Sequence, residues 1–266
     1  MGIDAAWTLT QPSGLALVGR DATGWRLIAA AASYRHFFAL KDGGLALRER
    51  PIGSPPDALS RLESATQLNG RAVDLVAIDM PLAHSPIRER RHSDNEVSRA
   101  YGKRKCGTHS PSTMRPGEMS DKLNEGFTRA GYPLQTRAIA PPGLIEVYPH
   151  TALVELAGAP ERLRYKASKV RAYWPALSAH ERRECLYDQW RTIVDLLERE
   201  IRGVRAALPE LPLDASAVEV KAYEDALDAV VCAWVGICAL EGRATPLGDE
   251  DSAIWIPLRT ATVRAT

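Results

Sequence analysis

The order of apolar runs predicts a mixed α/β fold: an antiparallel three-strand meander, then parallel strands, flanked by helices and interrupted by a basic insertion. Three observations carry this expectation. Short apolar runs punctuated by Gly, Pro and Asp fill the first thirty residues; two further apolar runs, at 74–79 and 144–147, are bounded by turn residues; and strongly helical patterns follow each of them. The 266 residues are 45% hydrophobic and 25% charged, an ordinary globular composition, and they are expected to form one domain spanning 1–266 with an insertion at about 84–137.

The meander is read from Met1 to Ala6, Gly14 to Val18 and Trp25 to Ala31, with Gly24 in the turn between the second and third runs. Ala58, Leu59, Leu62, Ala65 and Leu68 then recur at helical spacing up to Asn69-Gly70. Asp74 to Asp79 is short, apolar and turn-bounded, as a buried strand is. Residues 84–137 are polar and rich in Ser, Gly and Pro, and long segments of this kind inside a domain are usually functional loops or lids. Leu144 to Val147 reads as another buried strand, ending at Tyr148-Pro149, and Thr151 to Ala157 as a short helix. Basic helices are expected over 160–207, with an amphipathic face through Trp190, Ile193, Val194, Leu197 and Ile201. A strong helix runs from about Val218 to Leu240 and stops at Gly242; Trp255 and Ile256 form a terminal strand or a packed tail.

The composition excludes several classes. No apolar run approaches the roughly 20 residues that cross a bilayer, and the start Met1-Gly2-Ile3-Asp4 has no basic stretch leading into an apolar one, so a cytoplasmic protein with no membrane partner is expected. Cys106, Cys185, Cys232 and Cys238 are scattered, without the paired spacing of a zinc site. Net charge is +1, but between His84 and Arg137 eleven Lys or Arg face six Asp or Glu. Arg88, Arg90, Arg91, Arg99, Lys103, Arg104 and Lys105 could therefore meet phosphates; the alternative is a solvated insertion. Only Tyr101, Phe127 and Tyr132 offer aromatic rings there, too few for a base-stacking platform.

The candidate chemistry is carboxylate chemistry. Asp4 lies in the first strand, Asp79 ends the strand before Met80-Pro81, Glu146 lies in the I-E-V strand, and Asp225 and Asp228 sit in an otherwise apolar helix. Strand ends of an open α/β sheet converge on one crevice. Asp225 and Asp228 are three apart, hence on one helix face, with Lys221 joining that stripe. Carboxylates in such a helix need a pair, hydrogen bonds or a cation. Asp225 can pair with Lys221 at the surface, Asp228 can bridge a neighbouring backbone segment, or the acids can ligate metal. Hard divalent cations take oxygen ligands, and two of them activate water for phosphodiester hydrolysis. The G-x-x-x-x-G-K loop of a Walker-type nucleotide site is absent.

Other residues have quieter readings. Of His84, His92, His109 and His150, the histidines nearest these motifs, His92 and His150 can contact phosphate or support the acids or, more simply, make loop hydrogen bonds. Cys106, in K-R-K-C-G, would have a depressed thiol pKa if exposed, but no histidine base is apparent for it. Ser110 and Ser112 are turn formers, and Lys166, Lys169 and Arg171 form a helix face that is solvated or touches nucleic acid.

The runs G-I-D-A-A-W at the start, A-I-D-M-P-L at 77–82, E-V-Y-P-H at 146–150 and E-D-A-L-D-A at 224–229 together resemble the family of unknown function numbered 429, regarded as nucleases of RNase H-like fold. R-R-H-S-D-N-E-V-S-R-A-Y-G, Gly131-Tyr132 and Tyr165-Lys166 extend the likeness, which spans Gly2 to about Gly248. The resemblance implies an RNase H-like sheet with Asp4, Asp79, Glu146 and Asp228 as catalytic acids, Asp225 beside them, and Mg²⁺ or Mn²⁺ as their ligand. The large basic segment between Asp79 and Glu146 departs from the minimal fold and is expected to bind substrate or act as a lid; its Arg91, Arg99, Lys103, Arg104 and Lys105, together with Lys166 further along the chain, are expected to contact nucleic acid. The expected function is a metal-dependent nuclease or phosphodiesterase. The alternatives are a non-catalytic nucleic-acid or protein binding module, and a phosphotransferase related to actin and sugar kinases.

Overall fold

The structure, a computed structural model, describes residues 1–40, 50–53, 55 and 57–258. In chain order its elements are β1 (Gly2–Asp4), β2 (Gly14–Asp21), β3 (Gly24–Ala31), α1 (Tyr34–Leu40), α2 (Ala58–Asn69), β4 (Leu75–Asp79), α3 (His92–Tyr101), α4 (Glu118–Arg129), β5 (Gly143–Val147), α5 (Pro149–Ala157), α6 (Val170–Tyr173), α7 (Ala179–Glu200), α8 (Val204–Ala207), α9 (Ala217–Leu240), β6 (Ala244–Gly248) and β7 (Ala253–Pro257). The strands form one mixed sheet in the order β3-β2-β1-β4-β5-β7-β6. β3, β2 and β1 are the antiparallel meander; β1, β4, β5 and β7 run parallel; β6 returns antiparallel on the far edge.

Local chemistry accounts for the element ends. Asp57 caps α2 by accepting the Ser60 amide, and Gly70 closes it at φ 71°, in the left-handed region that a residue with a Cβ enters reluctantly. Ser178 with Glu181 and Ser216 with Glu219 form capping boxes that start the two longest helices, α7 and α9. The β2–β3 turn is held by the Asp21 carboxylate, which accepts from both the amide and the hydroxyl of Thr23.

Strand pleat divides the core in two. Leu75 and Ala77 of β4 and Ile145 and Val147 of β5 pack with α5, α7 and α9; Val76 and Ile78, Leu144 and Ile3 pack on the opposite face with α1, α2 and α4. α9 is buried continuously from Glu224 to Ala239. Burial of this kind explains why its sequence is apolar around most of its circumference.

The 84–137 segment differs from a solvated loop. α3 packs through Val97 onto Ile254 and Ile256, covering the β6/β7 end of the sheet, and α4 buries Leu123 and Phe127 in the core beneath α2. α1, α3, α4 and β6 were not resolved by periodicity, while Trp255 and Ile256 fall in β7, a true strand. Among the described residues no helix is long and apolar enough to cross a membrane.

Candidate functional site

Asp4 and Asp79 are brought together by sheet register. They are direct partners at the carboxyl ends of the adjacent parallel strands β1 and β4. Asp79 shares the pleat of Leu75 and Ala77, so both acids face α9. The helix can come close because β1 and β2 present glycines to it. A Cβ on Gly2 would lie 2.2 Å from the Ala229 carbonyl oxygen, and one on Gly14 would lie 2.1 Å from that of Asp225. This contact sets Asp225 and Asp228, 2% and 0% exposed, beside the strand ends.

The helix acids are already engaged. Asp228 accepts from the Tyr165 hydroxyl at 2.9 Å and from Lys166 Nζ. Asp225 pairs with Lys221. The pairing read from sequence exists, but Asp225 is buried rather than at the surface, and Asp228 bonds side chains rather than a backbone segment. Glu224, which sequence reasoning passed over, accepts the Ala167 amide at 2.6 Å and lies 3.6 Å from Lys166. Trp190 donates its indole N–H to the Tyr165 carbonyl at 2.8 Å and so fixes the segment that carries Lys166.

Asp4 and Asp79 are different. Among the described residues neither carboxylate has a side-chain hydrogen bond or an ion pair, and both open onto a cleft of about 620 Å³. Burial, then the charges of Asp228 and Asp225, hold Asp4 well above the ordinary carboxylate range, with Lys166 offsetting part of this. Burial likewise pushes Asp79 up to about 7; Lys166 opposes the shift and Asp228 and Glu146 add to it. Asp4, Asp79, Glu224, Asp225 and Asp228 thus face two cations, Lys166 and Lys221, across one small volume. Like-charged carboxylates left short of counter-charge are proton or metal sites.

Glu146 does not join them. It is the register partner of Ile78, so its side chain emerges on the opposite face of the sheet from Asp79. There the Arg91 guanidinium grips it with two bonds, at 2.5 and 2.8 Å, while also bonding Asp94, and the Leu82 amide donates to it at 2.7 Å. Burial would lower Arg91, but Glu146 and Asp94 outweigh it and hold the guanidinium above its ordinary value. Arg91, expected on a substrate-binding surface, is therefore a buried residue of this ion-pair network. The remaining basic candidates lie away from the cleft. Arg99 pairs with Glu96, Arg104 with Glu155 and Lys105 with Glu161, and Lys103 is exposed; Lys166 alone of the six lines the cleft.

The family model described as protein of unknown function (DUF429) matches residues 2–253. The chain belongs to the DUF429 family. Comparison with curated proteins and with solved structures gives no match.

The rim of the cleft in this DUF429 chain comes from residues that sequence reasoning missed or read as loop formers. Trp7 follows the β1 acid; His109 meets its ring edge-on at 6.4 Å, and the Arg115 guanidinium lies 5.6 Å from its centroid. With Gln11 and Ser110 they line the same opening as Asp4 and Asp79. The signal was present in G-I-D-A-A-W, whose Trp7 lies three residues beyond Asp4, but a single aromatic in a loop has no period to mark it. Cys106 is buried with its thiol pushed up to about 11 by that burial, which removes the activation its three basic neighbours suggested.

A hard cation fits part of this arrangement. Among the described residues no group of three or more His, Cys, Asp or Glu is close enough to hold one ion. The Asp4/Asp79 pair, unpartnered and facing the cleft, has the donor chemistry of a Mg²⁺ or Mn²⁺ site, since such ions accept one or two carboxylates and complete their shell with water and phosphate oxygens.

Proposed function

We propose that this DUF429 chain is a divalent-metal-dependent phosphodiesterase of the nuclease type, with Asp4 and Asp79 as the metal-holding pair. The observation that carries this reading is their juxtaposition, unpartnered, at the ends of β1 and β4 on the floor of a cleft. The meander followed by parallel strands supports the RNase H-like fold that the resemblance implies. A bound divalent ion would supply Lewis-acid stabilisation of the phosphoryl oxygens and a more acidic water.

The chain's own residues do the rest. Lys166, fixed by Asp228 and Tyr165, presents a positive charge to a phosphate on the cleft floor, and Arg115 offers a second one from the rim. Asp4 and Asp79 crowd one another, so a cation or a shared proton is favoured between them. Hydrolysis then forms one P–O bond from water, breaks the bond to the leaving oxygen, and delivers the water's proton to that oxygen.

One observation favours a second reading. Asp225 and Asp228 already have lysine partners, as the acids of a non-catalytic binding module would. The test separates the two. In a thermal-shift titration, Mn²⁺ at a hundredfold excess over its dissociation constant is expected to stabilise the protein by about 2.7 kcal/mol. Asp4→Asn and Asp79→Asn should abolish that response and lower hydrolysis of bis(4-nitrophenyl) phosphate at least about 100-fold. The same variants should melt higher than the metal-free wild type, because each removes a crowded charge. A metal response that survives in both variants, or none in the wild type, sinks the proposal and favours the binding module.

A further inference from the structure

The cleft does not end at the acids. Past Gln11, Pro12, Lys221 and Asp225, which line both, it opens into a second cavity of about 550 Å³. Its walls are apolar: Pro12, Pro51, Ile52, Val218 and Ala222. Ile52 and Val218 are 54% and 41% exposed and turn apolar surface towards the opening. The wall is built rather than loose, because Gly53 abuts the 9–11 loop so closely that a Cβ there would lie 2.4 Å from the Leu9 carbonyl oxygen. Polar residues share its lining: Gln11, Thr10 and Arg50.

Resting on the phosphodiesterase reading above, we propose that this second arm is a subsite for a planar heteroaromatic ring, and that the substrate is a mononucleotide-sized phosphoester rather than a long strand. The phosphate sits over Asp4 and Asp79, the Lys221 ammonium lies at the junction of the two cavities, and the base enters the apolar arm. A flat ring with a hydrogen-bonding edge suits apolar walls bordered by an amide, which donates and accepts at once. Each cavity has the volume of a small-molecule pocket rather than of a groove that follows a backbone. The basic residues that a strand would need lie elsewhere: Arg99, Arg104 and Lys105 are spent on Glu96, Glu155 and Glu161.

The test uses the full chain with Mn²⁺ and three esters: thymidine 5′-(4-nitrophenyl phosphate), methyl 4-nitrophenyl phosphate, and a single-stranded oligonucleotide cleaved internally. The nucleoside ester should exceed the methyl ester in kcat/KM by roughly tenfold or more, and the oligonucleotide should be the poorest substrate. Val218→Trp and Ala222→Trp fill the arm from two walls and should each collapse the nucleoside-to-methyl ratio towards one, with circular dichroism confirming that both variants fold. Equal rates for the two small esters, a ratio unchanged in both variants, or an oligonucleotide cleaved faster than either would overturn the subsite. Thymidine monophosphate binding, followed by calorimetry, separates this from the chemistry. Binding that is lost in the Trp variants supports the arm even if no ester is hydrolysed, whereas absence of binding refutes it whatever the hydrolysis result.

Discussion

His150 carries the clearest single-residue consequence of the fold. It sits in the first turn of α5, 8% exposed, with its ring edge-on to Tyr148 at 5.2 Å and to Tyr165 at 5.4 Å. Its ordinary value is 6.5; burial first, then the charges of Lys166 and Arg162, hold it well below that. The folded protein therefore keeps a neutral imidazole where the unfolded chain takes up a proton. Stability from this group is fully present above the unfolded value and drains away as pH falls below it. The Asp79 carboxyl, raised to about 7, works the other way: its contribution is present at low pH and is lost as pH rises through that value. The comparison must then be a difference. In urea titrations between about pH 6.5 and 5, wild type should lose up to about 1.4 kcal/mol per pH unit relative to His150→Gln. Parallel pH profiles for the two proteins would show that the imidazole is not held neutral. The sequence placed the start of this helix at Thr151, one residue past His150, and one histidine after a proline does not disclose that its ring is buried between two tyrosines.

At the scale of elements, the helix–sheet contact through Gly2 and Gly14 decides whether the acids meet. Gly14→Ala would drive a methyl group against the Asp225 carbonyl, a backbone atom in the middle of a buried helix that has no slack to yield. We expect a loss of about 1–3 kcal/mol, read as a lower urea midpoint with unchanged slope, together with weaker Mn²⁺ stabilisation because α9 is displaced from β1. A variant as stable as wild type would mean that α9 stands off the sheet. Much of this scale was legible. The meander, α2, β4, β5, α9 and the position of β7 all follow from period and punctuation, because their burial is one-sided or complete. What was missed is intelligible too. β6 reads A-T-P-L-G, and a proline and a glycine in five residues disguise an edge strand. α3 has Val97 as its single buried apolar side chain, so no stripe betrays it. The site was half legible for a geometric reason. Asp4, Asp79, Asp225 and Asp228 converge, but the face that Glu146 takes depends on its register with β4, where it opposes Ile78, and register is a property of two strands.

For the whole molecule, the question is whether residues 84–137 are an appendage or part of the fold. A basic, Ser- and Gly-rich stretch suggested a lid. The structure ties it down at three places: α4 in the core under α2, α3 against β7, and Arg91 beneath the sheet on Glu146. The last is the most informative, because Arg91 is 8% exposed and its guanidinium serves two buried carboxylates at once. Removing one partner of a buried ion network strands the others in a poor solvent for charge, which costs about 3–5 kcal/mol. Arg91→Met keeps much of the side-chain volume but removes the charge together with the guanidinium's hydrogen bonds to Glu146, Asp94 and the Leu82 carbonyl, so its cost should be of that order and global: every probe of unfolding should shift together. Glu146→Gln added to Arg91→Met removes one of the two stranded charges and should recover part of the loss, whereas Glu146→Gln alone should be destabilising. A detachable lid behaves otherwise. Arg91→Met would then change stability by no more than about 0.5 kcal/mol, and hydrogen exchange would quicken in α3 alone. If the global outcome is found, α3, α4 and Arg91 of that segment are a structural brace rather than a substrate clamp, with Arg91 on the face opposite the acids, and recognition falls to Trp7 and to the segment's own loop residues His109 and Arg115, which surround Asp4 and Asp79.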